Sequence, residues 1–294
     1  MDNTEKNRLI AFIKQSSPPL VPLPPPLPPK WAALCDAKLN ETKAVLFDVY
    51  GTLFCSAVGD ISLAAGEAGE KNNALESLAG EYGLAGTDMR SFFREQVAVI
   101  HNSLAAKTQW PEVKVEEIWT NFLRLQGASE NELLCGSLGR ELALRYELAV
   151  NPVYPMPGAL KTITGLREKG VVLGIISNAQ FFTPLLFEAF FGEAVEKLGF
   201  DPGLVLFSFK HGMAKPSSWL FQTAAQRLKA MGITPALCAF VGNDMLSDMF
   251  GALNTGFKGV LFAGDSRSLR LREDDERLAG FRPHMLIRKL EELL

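Results

Sequence analysis

The sequence predicts an α/β protein built on a doubly wound parallel sheet, with an all-helical segment inserted after the first strand. Two observations support this fold class. Five short apolar runs recur along the chain, and most of the intervals between them carry helical periodicity. Alternation of strands and helices is typical of parallel sheets that are covered by helices on both faces.

The first strand is predicted within residues 44–49, where the apolar run AVLF leads into Asp48. Runs of this kind are typical of strands that are buried on both faces. The other strands are predicted at residues 171–176, 204–209, 238–241 and 259–262. The intervening stretches LKTITGLREKG and SSWLFQTAAQRLKAMG have the spacing of amphipathic helices.

Three parts of the chain differ in character. Residues 57–150 contain no β-rich run and are predicted to form consecutive helices, a cap that closes over the carboxyl edge of the sheet. Residues 43–56 and 151–294 form the predicted core domain. Residues 1–42 are an N-terminal extension with eight prolines at positions 18–29. Since proline fixes φ and lacks a backbone donor, this tract is predicted to be an extended strap on the protein's own surface or a stiff spacer, rather than a docking ligand.

Composition favours a small-molecule partner. Lys and Arg number 30 against 33 Asp and Glu, so no basic field is available for nucleic acid or for an anionic membrane. No apolar run reaches the length of a membrane span, and the polar N-terminus lacks a secretory signal. The four cysteines have no metal-binding or redox spacing. We therefore expect reduced thiols and a cytoplasmic location; the oligomeric state is not predicted.

Polar residues follow the predicted strands at the points where the strands end. These residues are Asp48, Ser177, Asn178, Lys215, Asp244 and Asp248. The carboxyl ends of parallel strands line one crevice, so the side chains are expected to converge although they are far apart in sequence. A candidate nucleophile, a hydroxyl donor, a cation and extra carboxylates form a chemically coherent set.

The same residues lie in four motifs that resemble those of the haloacid dehalogenase superfamily. The motifs are FDVYGTLF at 47–54, IISNA at 175–179, AKP at 214–216 and NDMLSDMFGA at 243–252. Four motifs in the right order are far more specific than any one of them. The resemblance covers roughly residues 43–294, and it implies a hydrolase with a Rossmann-like core and a helical cap inserted after the first motif.

The resemblance implies a role for each matching residue. Asp48 would attack the substrate and become a covalent ester, a two-step route that is open to carboxylates. Ser177 would hydrogen-bond the transferring group, and Asn178 lies beside it in the same motif. Thr52 would help to place the nucleophile loop. Lys215 would neutralise charge on the nucleophile and on the phosphoryl oxygens.

A magnesium ion is also implied, since this hard cation prefers oxygen ligands. Asp48, Asp244 and the backbone carbonyl of Tyr50 would hold it, with Asp248 as a support or occasional ligand. Phosphoryl transfer depends on positioning and charge neutralisation, which this set would supply. The predicted function is magnesium-dependent hydrolysis of a small phosphorylated metabolite through an aspartyl-phosphate at Asp48.

Tyr50 departs from the phosphatase pattern, which has a second aspartate two residues after the nucleophile. A phenol with a pKa of about 10 is a poor acid-base catalyst at neutral pH. The 2-haloacid dehalogenases of the superfamily carry this tyrosine, since a departing halide needs no proton. Metal-independent dehalogenation is therefore a second hypothesis, and a catalytically weak binding protein is a third. The spacing of Asp244 and Asp248 matches phosphatases and favours the first.

Other charged residues are given structural interpretations. Asp60 is interpreted as the N-cap of a helix rather than as a substitute acid. The cap residues Arg90, Arg94, His101 and Lys107 are expected to be solvated or structural rather than to bind a substrate anion. The run Arg267, Arg270 and Arg272, which precedes four acidic residues, is interpreted as a solvated face of mixed charge.

Overall fold

The computed structural model describes residues 1–32, 34–35, 39, 41–58, 70–133 and 137–294. Asp60 and Cys135 lie outside these ranges. The strands within them are β1 (Ala44–Phe47), β2 (Phe54–Ser56), β3 (Val153–Pro155), β4 (Val172–Ser177), β5 (Phe200–Phe207), β6 (Cys238–Gly242), β7 (Lys258–Phe262) and β8 (Met285–Ile287). Six of them form one sheet in the order β5-β4-β1-β6-β7-β8, and β2 pairs with β3.

The predicted parallel α/β sheet is confirmed. All strand pairs of the main sheet are parallel, and all five predicted strands are present. Strand β1 is central and fully buried because both of its faces carry apolar side chains. The antiparallel pair of β2 with β3 and the strand β8 were not predicted. Each of these is only three residues long and gives little periodic signal.

The α-helices in the described ranges either precede β1 or lie in the intervals between the strands. They are α1 (Asn3–Ser16), α2 (Pro29–Ala32), α3 (Glu70–Glu81), α4 (Met89–Leu104), α5 (Val115–Leu125), α6 (Glu130–Leu133), α7 (Ser137–Val150), α8 (Ala159–Glu168), α9 (Thr183–Phe191), α10 (Ser208–His211), α11 (Ser218–Ala230) and α12 (Gly251–Asn254). None of them combines the length and the apolar character that a membrane span requires.

The described part of residues 57–150 contains helices α3 to α7 and no strand. Helix α5 buries Val115, Ile118, Trp119, Phe122 and Leu123, which recur at the spacing of one helix face. The indole of Trp119 packs on the ring of Tyr146 in α7, with 4.5 Å between the ring centroids. These helices thus share an apolar core, and the division of the chain into extension, core and cap stays a prediction.

The N-terminal extension packs against the rest of the protein. Helix α1 was not predicted; it begins at an Asp2 cap and buries Leu9 and Ile13. Glu5 accepts two hydrogen bonds from the guanidinium of Arg140 in α7, at 2.7 and 2.8 Å. This bidentate pair ties the first helix to the predicted cap.

Residues 18–31, which we call the N-terminal strap, lie along the loop that follows β7. The backbone nitrogen of Ser266 donates to the Leu23 carbonyl at 2.7 Å, and Arg267 donates to the Val21 carbonyl at 2.8 Å. Further along, the Trp31 indole donates to Glu273 at 3.0 Å. These contacts agree with the interpretation of the proline tract as a strap on the protein's own surface.

Candidate active site

A cavity of about 490 Å³ lies at the carboxyl edge of the main sheet. Strand β1 runs between β4 and β6, so the loops that leave these three strands are neighbours at that edge. The structure brings most of the predicted site residues together there. Those that line the cavity are Asp48, Tyr50, Asn178, Lys215, Asp244 and Asp248.

Lys215 joins two carboxylates at the wall of this cavity. Its ammonium lies 2.7 Å from Asp48 Oδ1 and 2.5 Å from Asp248 Oδ1. The side chains of Lys215, Asp48 and Asp248 are only 3%, 10% and 1% exposed, so water screens these contacts weakly. Among the described residues no donor contacts Asp48 Oδ2. That oxygen is therefore the one that a ligand in the cavity could contact.

Lys215 and Asp248 have shifted pKa values in this cluster. Burial alone would lower the pKa of Lys215, but the carboxylates of Asp248 and Asp48 outweigh it and raise this pKa above its usual value. Burial is the main cause that raises the pKa of Asp248 above its usual value. Lys215 opposes this rise, while Asp48 and Asp244 add to it. Lys215 is thus a charged ammonium throughout the neutral range and holds the Asp48 carboxylate in place.

Asn178 fixes the backbone of Lys215. The side-chain oxygen of Asn178 accepts from the Lys215 backbone nitrogen at 2.7 Å, and its side-chain nitrogen donates to the Lys215 backbone carbonyl at 3.2 Å. Ser177 is fully buried, and its hydroxyl donates to the backbone carbonyl of Asn178 at 3.2 Å. Ser177 does not belong to the described cavity lining, so in this arrangement its hydroxyl supports the loop.

The loops after β1 and β6 are also bound to each other. The Thr52 hydroxyl, buried beneath the cavity, donates to the side-chain oxygen of Asn243 at 3.1 Å. Asp248 Oδ2 accepts from the backbone nitrogens of Asn243 and Asp244, at 2.9 and 3.0 Å. Thr52 therefore lies where it can position the nucleophile loop, and Asp248 braces the loop that carries Asp244.

The hydroxyl of Tyr50 is bound within the protein. It lies 2.8 Å from the hydroxyl of Thr183 at the start of α9. Burial raises the pKa of the Tyr50 phenol above its usual value, and the carboxylate of Glu147 raises it further. The phenol is therefore neutral at physiological pH, and its hydroxyl is hydrogen-bonded to the hydroxyl of Thr183.

Asp244 is saturated by donors from the protein. Its Oδ1 accepts from the backbone nitrogens of Leu246 and Ser247, which begin the next helical turn. The guanidinium of Arg272 binds the same carboxylate through two nitrogens, at 3.0 Å from Oδ1 and at 2.6 Å from Oδ2. This is the bidentate geometry in which arginine holds carboxylates most firmly.

The interpretation of Arg267, Arg270 and Arg272 as a solvated face was wrong. Arg272 is bound to Asp244, Arg270 lines the cavity, and Arg267 is paired with Asp265. The loop after β7 leaves the sheet at the same edge as the loop after β6, and this brings its arginines to the cavity. The predicted strand at 259–262 indicated only that the segment after it leaves the sheet at the carboxyl edge, and not which of its arginines contact the cavity.

The oxygen atoms of the predicted metal ligands are of the kind that magnesium binds. The carboxylates of Asp48 and Asp244 line one cavity, and the Tyr50 carbonyl lies in the same loop as Asp48. In the described part of the chain, however, no three His, Cys, Asp or Glu side chains are grouped closely enough to hold an ion as they stand. Asp244 binds Arg272 instead, so a metal ion would have to take over part of that carboxylate.

Residues of the predicted cap form the opposite wall of the cavity. This wall is largely apolar and consists of Phe93, Val97, His101, Gln109, Trp110, Pro111, Glu112, Val113 and Val115. Of the four cap cations considered from the sequence, His101 alone is among these lining residues. Arg94 donates to the Ser91 hydroxyl, and Lys107 is exposed.

Glu112 connects the two walls and was not identified from the sequence. Its Oε1 accepts from the Gln180 side chain at 3.1 Å, and its Oε2 accepts from the Ser208 hydroxyl at 2.5 Å. Gln180 also donates to the Val113 carbonyl at 3.0 Å. These bonds hold the predicted cap against the residues that follow β4 and β5, and they depend on packing that no local pattern reveals.

Comparison with known proteins identifies a family for this chain. A family model described as haloacid dehalogenase-like hydrolase matches residues 42–256. The glyceraldehyde 3-phosphate phosphatase of Pyrococcus furiosus is 32% identical over 109 residues, 36% of this chain and 41% of that protein. The protein of the same name from Methanothermobacter thermautotrophicus is 33% identical over 111 residues, 36% of this chain and 44% of that one. The matches thus span less than half of these curated relatives.

Solved structures share the fold over a longer stretch. A 2-haloacid dehalogenase from Pseudomonas syringae pv. Tomato superposes with a TM-score of 0.55 at 19% identity, covering 86% of this chain and 96% of that one. A second solved dehalogenase gives a TM-score of 0.52, also at 19% identity, over 87% and 97% of the two chains. At this identity the likeness concerns the fold alone.

Proposed function

Because the chain belongs to the haloacid dehalogenase-like hydrolases, we propose that it is a magnesium-dependent phosphatase that hydrolyses a small phosphate ester through Asp48. The observation that carries the proposal is the placement of Asp48. Its Oδ1 is held by Lys215 at 2.7 Å, while Oδ2 has no donor among the described residues. The partial matches to glyceraldehyde 3-phosphate phosphatases support a phosphorylated substrate.

The reaction takes place in two displacements. Asp48 Oδ2 attacks phosphorus, the bond from phosphorus to the leaving oxygen breaks, and an aspartyl-phosphate forms. Water then attacks the phosphorus of this intermediate, which releases inorganic phosphate and restores the carboxylate. In both steps Lys215 neutralises negative charge that would otherwise keep an anionic phosphate away from a carboxylate.

Asp48, Asp244 and the backbone carbonyl of Tyr50 would hold the magnesium ion, with Asp248 bracing their loop. When bound, the ion would offset the charge of the phosphoryl oxygens. The remaining positioning comes from the protein. Asn178 fixes Lys215 through two hydrogen bonds, and Thr52 ties the nucleophile loop to Asn243.

Tyr50 limits the esters that this site hydrolyses well. Its phenol is bound to Thr183 and has a raised pKa, so it does not protonate a departing alkoxide. Loss of general acid assistance costs about 10²- to 10⁴-fold in rate when the leaving group is a poor one. We therefore expect turnover to favour esters whose leaving oxygen departs as a stable anion, such as an aryl phosphate.

The test is hydrolysis of an aryl phosphate with magnesium and with a chelator, using Asp48→Asn as the blank. Asparagine has the same shape but cannot act as the carboxylate nucleophile. Turnover that requires both magnesium and Asp48 supports the proposal. Turnover that is equal in the variant and the parent would show that the nucleophile lies elsewhere.

A 2-haloacid dehalogenase is the second candidate, and Tyr50 is the observation that favours it. A halide leaves without a proton, so a neutral phenol at this position costs such an enzyme nothing. The bond between Arg272 and Asp244 also neutralises the extra carboxylate without a metal. Chloride release from 2-chloropropionate that continues in a chelator would identify this activity, and its absence would exclude that substrate.

A further inference from the structure

We propose that Arg272 is a resident counter-cation of Asp244, which magnesium must displace in order to bind. The inference rests on the proposed magnesium dependence and goes beyond it, since it assigns a role to a residue outside the four motifs. Arg272 and Asp244 are 28 residues apart in the sequence, and their contact is made by the fold.

The geometry leaves little room for both cations. Asp244 Oδ1 accepts from Leu246 N at 2.7 Å, from Ser247 N at 3.1 Å and from Arg272 Nε at 3.0 Å. Oδ2 accepts from two nitrogens of Arg272, at 3.1 and 2.6 Å. Magnesium requires oxygen ligands at about 2.0–2.1 Å in octahedral geometry. It can therefore bind Asp244 only after the guanidinium releases at least one carboxylate oxygen.

The loop that carries Arg272 is fixed beside the metal-ligand candidate. Its backbone pairs with the loop after β6, because Arg270 N donates to the Asn243 carbonyl and Met245 N donates to the Arg270 carbonyl, both at 2.9 Å. Arg272 itself has a φ of 49°, in the left-handed region that residues other than glycine rarely adopt. A backbone conformation of this kind at a cavity is often retained for function, and the guanidinium of this residue contacts Asp244.

The side chain can leave without unfolding the loop. Arg272 is 34% exposed, whereas the side chain of Asp244 is 10% exposed. The arginine therefore reaches water by a change of its own rotamers, while the carboxylate stays at the cavity. In the absence of metal the guanidinium offsets the repulsion that Asp244 would otherwise exert on Asp48 and Asp248.

Calorimetric titration with magnesium chloride tests the proposal on the full chain. We expect Arg272→Gln to bind magnesium about 10-fold more tightly than the parent, because a charge-assisted pair that is partly exposed has to be broken in the parent alone. Arg272→Lys, which keeps the charge but not the two-nitrogen geometry, should fall between them. Arg277→Gln removes a charge from the same loop at an exposed position and should leave the affinity unchanged.

Thermal unfolding in a chelator gives a readout that does not involve turnover. Arg272→Gln should melt about 2 to 4 °C below the parent without metal and regain this loss with magnesium. Equal magnesium affinity in Arg272→Gln and the parent would overturn the proposal while leaving the phosphatase function intact. If neither protein binds magnesium, both the competition and the metal dependence of the proposed function fail.

Discussion

Replacement of Tyr50 by aspartate would restore the acid that phosphatases of this family carry two residues after the nucleophile. The proton would then reach the leaving oxygen, which the phenol bound to Thr183 does not supply. General acid catalysis contributes about 10²- to 10⁴-fold, and most of it is realised when the leaving group is a poor one. The gain should therefore be large for an alkyl phosphate and small for an aryl phosphate.

The structure also sets the cost of this substitution. Tyr50 is 7% exposed, so its truncation leaves a cavity, and its hydroxyl bond to Thr183 is lost. Loss of a buried aromatic side chain costs about 3 to 5 kcal/mol of stability. Tyr50→Asn has nearly the same volume as Tyr50→Asp and makes the same cavity, but it carries no acid. It is therefore the matched control for both stability and rate.

The assay compares kcat/KM of the two variants on alkyl and aryl phosphates, with urea unfolding to check that both are folded. We expect Tyr50→Asp to exceed Tyr50→Asn by at least about 10²-fold on the alkyl ester and to differ little from it on the aryl ester. Equal rates of the two variants on every ester would refute the reasoning, because the added acid would then have no access to the leaving group.

Three further substitutions test the site. Lys215→Met leaves two buried carboxylates without their shared cation. It should therefore lower the free energy of unfolding, measured by urea titration, by about 3 to 5 kcal/mol. A loss below about 1 kcal/mol would show that the buried ion cluster does not stabilise the fold. Tyr50→Phe should leave the pH-rate profile unchanged across the neutral range, because the raised pKa keeps the phenol protonated there; a shifted alkaline limb would implicate its ionisation. Gly51→Ala should lower the free energy of unfolding by about 2 kcal/mol, measured by thermal melts. The reason is that Gly51 has a φ of 79° and that an added Cβ would lie 2.4 Å from Ser268 Cβ. An unchanged melting temperature would show that the loop can relax.

The fold was predictable because its signals are local. A buried parallel strand appears as an apolar run, and polar residues at the ends of such runs must meet at one edge of the sheet. The cavity lined by Asp48, Lys215 and Asp244 follows from that rule together with the order of the motifs. Roles within the cavity, such as metal binding and nucleophilic attack, stay predictions.

Contacts that depend on tertiary packing were not predictable. Arg272 lies in a run of mixed charge, and nothing local distinguishes an arginine that binds a carboxylate from one that is solvated. Glu112 was missed for a related reason, since its partners Gln180 and Ser208 follow two different strands, β4 and β5. Helix α1 lacks a long apolar pattern. It is held in place because Leu9 and Ile13 are buried in the main core and the helix packs against α9.

The N-terminal strap has a consequence for the order in which parts of the chain fold during synthesis. The bonds from Leu23 to Asp265 and from Trp31 to Glu273 each join residues that are 242 positions apart. The ribosome synthesises the strap first, and the residues that bind it emerge 242 positions later. The strap can therefore bind only after the loop that positions Arg272 has been made. A protein that begins at residue 42, where the family match begins, would lack the strap and leave that loop uncovered.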